Sequence, residues 1–206
     1  MGIAEEIAAA VAAHSAVERV EPIGSGARDI AGFQIAAFSV IVDDFGEVAA
    51  DLPDIVGPFD PLSAQWDPLG EHASQLLIFR GPVKVDLVFP EVWRNPNPPW
   101  RVGPDTLAAI DTHFWDWTLW LVGKRRDGML DRVRGELLKM SRHLLQPLGI
   151  GTVPLSLGEA ADRYVRARDR LESRYGTRIS RCLQDEILPL VRAPHGDHYR
   201  PSGLPS

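Results

Sequence analysis

Two places in this chain carry residue types suited to phosphate and metal chemistry. Gly24-Ser25-Gly26 closes a short alternating segment. A Gly-Ser turn leaving a strand presents backbone N–H groups and a hydroxyl to phosphate oxygens, with glycine permitting close approach. Arg28 follows closely and suits a phosphate, although a solvated surface arginine fits the same position. Further along, Asp86 stands inside Val83-Lys84-Val85-Asp86-Leu87-Val88-Phe89. Strand alternation places Lys84 and Asp86 on one face and Val83, Val85, Leu87 and Phe89 on the other. Two readings follow: a strand with a polar outer face, or a carboxylate that faces a cleft and holds a metal.

The elements that must position these residues are legible from periodicity and punctuation. Ile3 to His14 is Ala-rich with Glu5 and Glu6 in its first turn, which predicts a helix. Val17 to Ile23 alternates and predicts a short strand. Phe33 to Val42 is a nearly continuous apolar run between Gly32 and Asp43, which predicts a buried central strand. Asp51 to Gly70 is broken by prolines and glycines and reads as loop, with one helical turn near Leu62–Trp66. Ser74–Phe79 and Val83–Phe89 form a hairpin across Arg80-Gly81-Pro82.

A second Pro-rich loop, Asn95 to Pro104, marks a domain boundary. Helices follow from Pro104 to Lys124, Leu130 to Leu145, Leu157 to Tyr175, and Thr177 or Ser180 to Val191. Ser156 is the expected N-cap and Gly176 the expected stop of the third of these.

Other chemistry-bearing residues weigh less. Trp115, Trp117 and Trp120, with Phe114, are expected as core or interdomain packing, because aromatic rings bury large areas. An aromatic wall for a base or sugar is the alternative, with Trp93 and Trp100 also available. Glu136 and Lys139 suit a surface charge pair or a cleft lining, and nothing selects Glu136 over Asp116 or Asp131 as a base. His195-Gly196-Asp197-His198 holds ligand types but lies in a Pro/Gly tail without a second cluster, so it is not expected to bind metal. Cys182 is expected as a buried thiol, and the charged run Glu159 to Arg174 as a solvated or partner-binding face.

Composition sets the outer limits. The chain has 206 residues, 45% of them hydrophobic and 24% charged, which is ordinary for a globular protein. A net charge of −6 disfavours non-specific nucleic-acid binding. A single cysteine and an acidic N-terminal segment point to the cytoplasm, and no apolar run is long enough for a membrane span.

The Gly24–Ser25 turn, the apolar strand after it, the 83–89 run and the helical segment His113-Phe114-Trp115-Asp116-Trp117-Thr118-Leu119-Trp120-Leu121 resemble one fold. It is the nucleotidyltransferase fold shared by aminoglycoside and lincosamide nucleotidyltransferases, and the resemblance covers about Val17 to Gly149. It implies an α+β protein: a small mixed β-sheet domain with helices over 1–103, an all-α helical subdomain over 104–193, and a tail over 194–206. It also implies attack of a substrate hydroxyl on the α-phosphate of an NTP, with two metal ions clamping the attacking and leaving oxygens. Gly24, Ser25 and Arg28 are then the nucleotide-binding residues, and Asp86 is the family's third carboxylate.

The family's paired carboxylates do not map. Their positions fall on Ala36 and Phe38, or on Ile35 and Ala37 if the register slips by one, and none of these binds a metal. Asp29 lies too early, Asp43 and Asp44 lie too late, and Gly26 replaces a basic residue. Asp86 would be a lone carboxylate accompanying weakly bound Mg2+ and NTP. The leading expectation is therefore a nucleotidyltransferase-like protein with a degenerate metal site, in which transfer is lost or severely impaired and residual nucleotide binding is kept. One alternative is an active enzyme that assembles its metal site from Asp29, Asp43 or Asp44 with Asp86 and transfers NMP from a Mg-NTP to a hydroxyl of a small molecule such as an aminoglycoside. Another is a non-catalytic protein-interaction module.

Overall fold

The structure is a computed structural model and describes residues 2–24, 28–30, 32–95 and 100–193. Helix α1 (Ile3–Ala12) carries Glu5 and Glu6 at its positive end and buries Ala4, Ile7 and Val11 along one stripe. The next elements are β1 (Val17–Pro22), β2 (Arg28–Asp29), β3 (Gln34–Val42), α2 (Phe45–Val56), β4 (Ser63–Trp66), β5 (His72–Phe79) and β6 (Val83–Trp93). They build a mixed sheet of order β1-β3-β6-β5-β4, with β2 also paired to β3. The central pair β3–β6 is parallel, and every other pairing is antiparallel.

The sheet is covered on both faces, which is why its middle strands are apolar on alternate residues and only selectively polar on the rest. On one face Ala36, Phe38 and Val40 of β3 join Val85, Leu87 and Phe89 of β6 and Leu77 and Phe79 of β5. Ile7 and Val11 of α1, with Val48 and Leu52 of α2, close that layer.

A helical subdomain follows: α3 (Leu107–Arg126), α4 (Leu130–Met140) with a π-helical continuation at Ser141–Leu145, α5 (Leu157–Tyr175) and α6 (Cys182–Arg192). Helix α3 is buried on nearly every side, because it lies between the sheet and the other helices. That position explains a tryptophan-rich helix with no single apolar stripe. Phe114 and Trp115 are fully buried, and Phe114 stacks on Tyr164 of α5 with centroids 3.8 Å apart. Arg168 of α5 reaches Asp111 of α3 at 3.2 Å, and the Tyr164 hydroxyl donates to the same carboxylate at 2.7 Å. Ser156 caps α5 by accepting from Glu159 N–H, and Gly176 ends it in the left-handed region at φ 65°.

Three expectations need correction. Leu62–Trp66 is not a helical turn; Ser63–Trp66 is the edge strand β4, paired with β5. The segment read as loop from Asp51 begins inside α2, which runs through Pro53. The helix survives there because Asp44 caps its start, Oδ1 accepting from Glu47 N–H at 3.1 Å, and Val48, Leu52 and Val56 anchor one face. Cys182 is exposed, because it opens α6 and Leu183, Ile187 and Val191 form the buried stripe instead. The tail with His195, Asp197 and His198 lies outside the described residues. Among the described residues no helix is long and apolar enough to cross a membrane.

Candidate functional site

Register decides which β6 side chains meet the helices. Val85, Leu87 and Phe89 turn toward α1 and α2, so Lys84 and Asp86 turn toward α3. Lys84 is only 2% exposed. Its Nζ donates to Asp86 Oδ1 at 2.5 Å and to Asp116 Oδ1 of α3, also at 2.5 Å. One ammonium therefore sits between two carboxylates from different layers. Burial opposes the Lys84 charge, but the two carboxylates outweigh it and raise the ammonium pKa. Burial pushes the Asp86 carboxyl up to about 6 against the opposing pull of Lys84, and it raises Asp116 as well.

This triad forms the floor of a cleft of about 380 Å3 between the sheet and the helical subdomain. Helix α3 supplies His113, Asp116, Trp117 and Trp120, which fall on one face at helical spacing. Glu136 and Lys139 of α4 pair at 2.7 Å and line the opposite wall, and the π-helical turn adds His143. Asp67, just after β4, completes the rim and accepts a hydrogen bond from Leu69 N–H at 2.8 Å. No described cation lies within ion-pair distance of Asp67.

His113 is the unusual member. It is 4% exposed, and among the described residues neither ring nitrogen has a hydrogen-bond partner. Burial lowers its pKa to about 4, so the imidazole stays neutral with one donor and one acceptor. Leaving such a group unpaired in a buried site costs about 1–3 kcal/mol.

The residues singled out from sequence do not converge on one point. Asp86 does face the cleft. Ala36 and Phe38 do not: both lie in the apolar layer under α1 and α2, so Phe38 takes no space near Asp86. The parallel register pairs Ile35 with Lys84, Ala37 with Asp86 and Ser39 with Val88. The β3 positions that share the Asp86 face are thus Ile35, Ala37 and Ser39, and none is a carboxylate.

Ile35 instead packs against α3 at Gly123, where an added Cβ would lie 2.8 Å from its Cδ1. The contact draws helix and strand together next to the cleft. On its other side lies a crevice of about 40 Å3 that contains Arg28. Arg28 binds Asp127 at the end of α3 through two hydrogen bonds of 2.6 and 3.1 Å. The guanidinium is therefore engaged away from Asp86. Gly24 has a left-handed φ of 75°, as a tight turn requires, and Ser25 lies outside the described residues.

Asp116, His113 and Asp67 complete the site and were not selected from sequence. The signal for the α3 pair was present, since His113, Asp116, Trp117 and Trp120 recur at intervals of three and four. Asp67 sits among Pro and Gly residues and gave none.

These residues do not fit a divalent cation. Lys84 already fills the space between the two central carboxylates with positive charge, and the matching β3 positions are apolar or a hydroxyl. Among the described residues no group of three or more His, Cys, Asp and Glu side chains is arranged to hold a metal ion.

No family model matches the chain, and no curated protein matches it. Among solved structures it is similar to an aminoglycoside 6-adenyltransferase from Bacillus subtilis. The two are 12% identical over 88% of this chain and 94% of that one, with a TM-score of 0.31. A likeness this distant carries no argument about function.

Proposed function

We propose that this is a nucleotidyltransferase-like protein whose cleft binds a small molecule and has lost metal-dependent nucleotidyl transfer. One observation carries the reading: the Lys84 ammonium stands 2.5 Å from both Asp86 and Asp116, where the family's chemistry calls for metal ions. Two-metal transfer needs carboxylates free to share cations between the attacking and leaving oxygens. Here both central carboxylates are committed to a resident ammonium.

Nucleotide binding through Gly24, Ser25 and Arg28 gains no support from the described residues. Arg28 is held by Asp127, and Ile35 packs on Gly123 beside it. The cleft has the form of a ligand site all the same: a concave space with apolar and aromatic walls and a few convergent polar groups.

The test is a transfer assay with a panel of NTPs and hydroxylated acceptors in magnesium and in manganese. No turnover is expected. Turnover that Asp86→Asn abolishes would overturn the reading and restore an active transferase. Calorimetry with magnesium-ATP is expected to give no heat of specific binding.

A further inference from the structure

The cleft is more selective than its volume suggests, because its polar groups differ in how well they are satisfied. Lys84, Asp86 and Asp116 satisfy one another, and so do Glu136 and Lys139. Among the described residues Asp67 has no cationic partner, and neither ring nitrogen of His113 has a hydrogen-bond partner. These two are the groups a ligand would complete. Asp67 asks for a cation, and a neutral imidazole, a donor at one nitrogen and an acceptor at the other, suits a hydroxyl or amide at either one.

The charge balance points the same way. Four carboxylates line the cleft against two ammonium groups, so the lining is predominantly acidic. Such a lining attracts cations and repels phosphates. The walls narrow the choice again. Trp117 lies beside His113 with ring centroids 5.7 Å apart, and Leu76 is on the sheet side. Flat rings suit that slot. The Trp120 ring is already approached by Lys124 at 5.2 Å and Arg132 at 5.3 Å, so it is not the seat for a ligand cation.

We propose that the cleft takes a small aromatic amine, with its ring beside Trp117, its ammonium at Asp67 and a neutral hydrogen-bonding substituent at His113. This rests on the reading of the site as a binding cleft. It goes beyond that reading in naming the chemical class of the ligand and the residue that recognises its neutral group.

Calorimetry with four probes tests it: tyramine, phenethylamine without the hydroxyl, 3-(4-hydroxyphenyl)propionate as an anion of similar shape, and magnesium-ATP. Tyramine is expected to bind, phenethylamine about tenfold more weakly, and the two anions not at all. His113→Phe should erase the difference between the two amines. Asp67→Asn should weaken both amines by about the same factor.

Absence of tyramine binding, equal binding of the anionic analogue, or an unchanged amine ratio in His113→Phe would each overturn the proposal. The wild-type comparison alone suffices if the variant does not fold. Asp86-dependent nucleotidyl transfer would sink the functional reading instead, whatever the amines do, so the two failures are distinguishable.

Discussion

Lys84 on β6 and Asp116 on α3 meet at 2.5 Å inside the molecule, and Asp86 closes the triad from the same strand as the lysine. The contact joins the sheet to the helical subdomain through buried charge, as Arg28 and Asp127 join them nearer the surface.

Removing the ammonium should expose how much those carboxylates depend on it. Lys84→Met leaves two buried anions facing each other and is expected to cost roughly 3–5 kcal/mol at neutral pH. Adding Asp116→Asn should return a large part of that loss. Urea unfolding of both variants measures it. A Lys84→Met protein as stable as the parent would show that the triad is not formed in solution.

Strand register makes a prediction that neighbouring positions must obey in opposite ways. Ala36 is buried under α1 and α2, so Ala36→Asp should destabilise by about 3 kcal/mol or more. Ala37 pairs with Asp86 on the Lys84 side, and Ala37→Asp should be clearly milder. Equal losses in denaturant titrations would contradict the alternation described for β3.

Close approach of α3 to β3 depends on Gly123. Gly123→Val is expected to overpack against Ile35 and cost about 1–3 kcal/mol. In an Ile35→Ala background the same change should cost much less, and a double-mutant cycle gives the coupling. Additive effects would mean that the two residues do not touch.

The buried imidazole gives a pH signature. With a folded pKa near 4, below the unfolded value, His113 contributes stability that is fully present above the unfolded pKa and is lost as pH falls through 4. The loss should reach about 3 kcal/mol in acid. Asp86, raised to about 6, acts in the opposite sense from about pH 6 down to the ordinary carboxylate range, its contribution growing as pH falls. Comparing acid unfolding of the parent with His113→Phe separates the two. NMR titration should show the His113 ring neutral at pH 5; a midpoint near 6.5 would refute its burial.

Much of the frame was readable in advance because it depends on local patterns. Alternation in Val83–Phe89 placed Lys84 and Asp86 together, and Ser156 and Gly176 marked the ends of α5 correctly. Pro53 misled because a proline weakens a helix locally, whereas the Asp44 cap and the buried stripe on α2 hold it globally. Counting residues puts the family's pair at Ala36 and Phe38 or, one residue over, at Ile35 and Ala37, and counting cannot choose between the faces of a strand whose side chains there are all apolar. A shift of one residue reverses the face, and only pairing with β6 set it.

The sequence by itself determined the mixed sheet, the helical half, and a strand that carries a lysine and an aspartate on one side. It also determined that Ile35 to Phe38 carry no carboxylate, whichever face of β3 they take. Tertiary structure decided what surrounds Asp86. Asp116 lies thirty residues from Asp86 along the chain, and only the packing of α3 on the sheet brings it to Lys84. The same packing buries His113 with neither ring nitrogen hydrogen-bonded among the described residues, because a helix buried on nearly every side must turn some polar groups inward. Burial makes those groups costly to leave unpaired, and that cost is what gives the cleft its preference for a ligand.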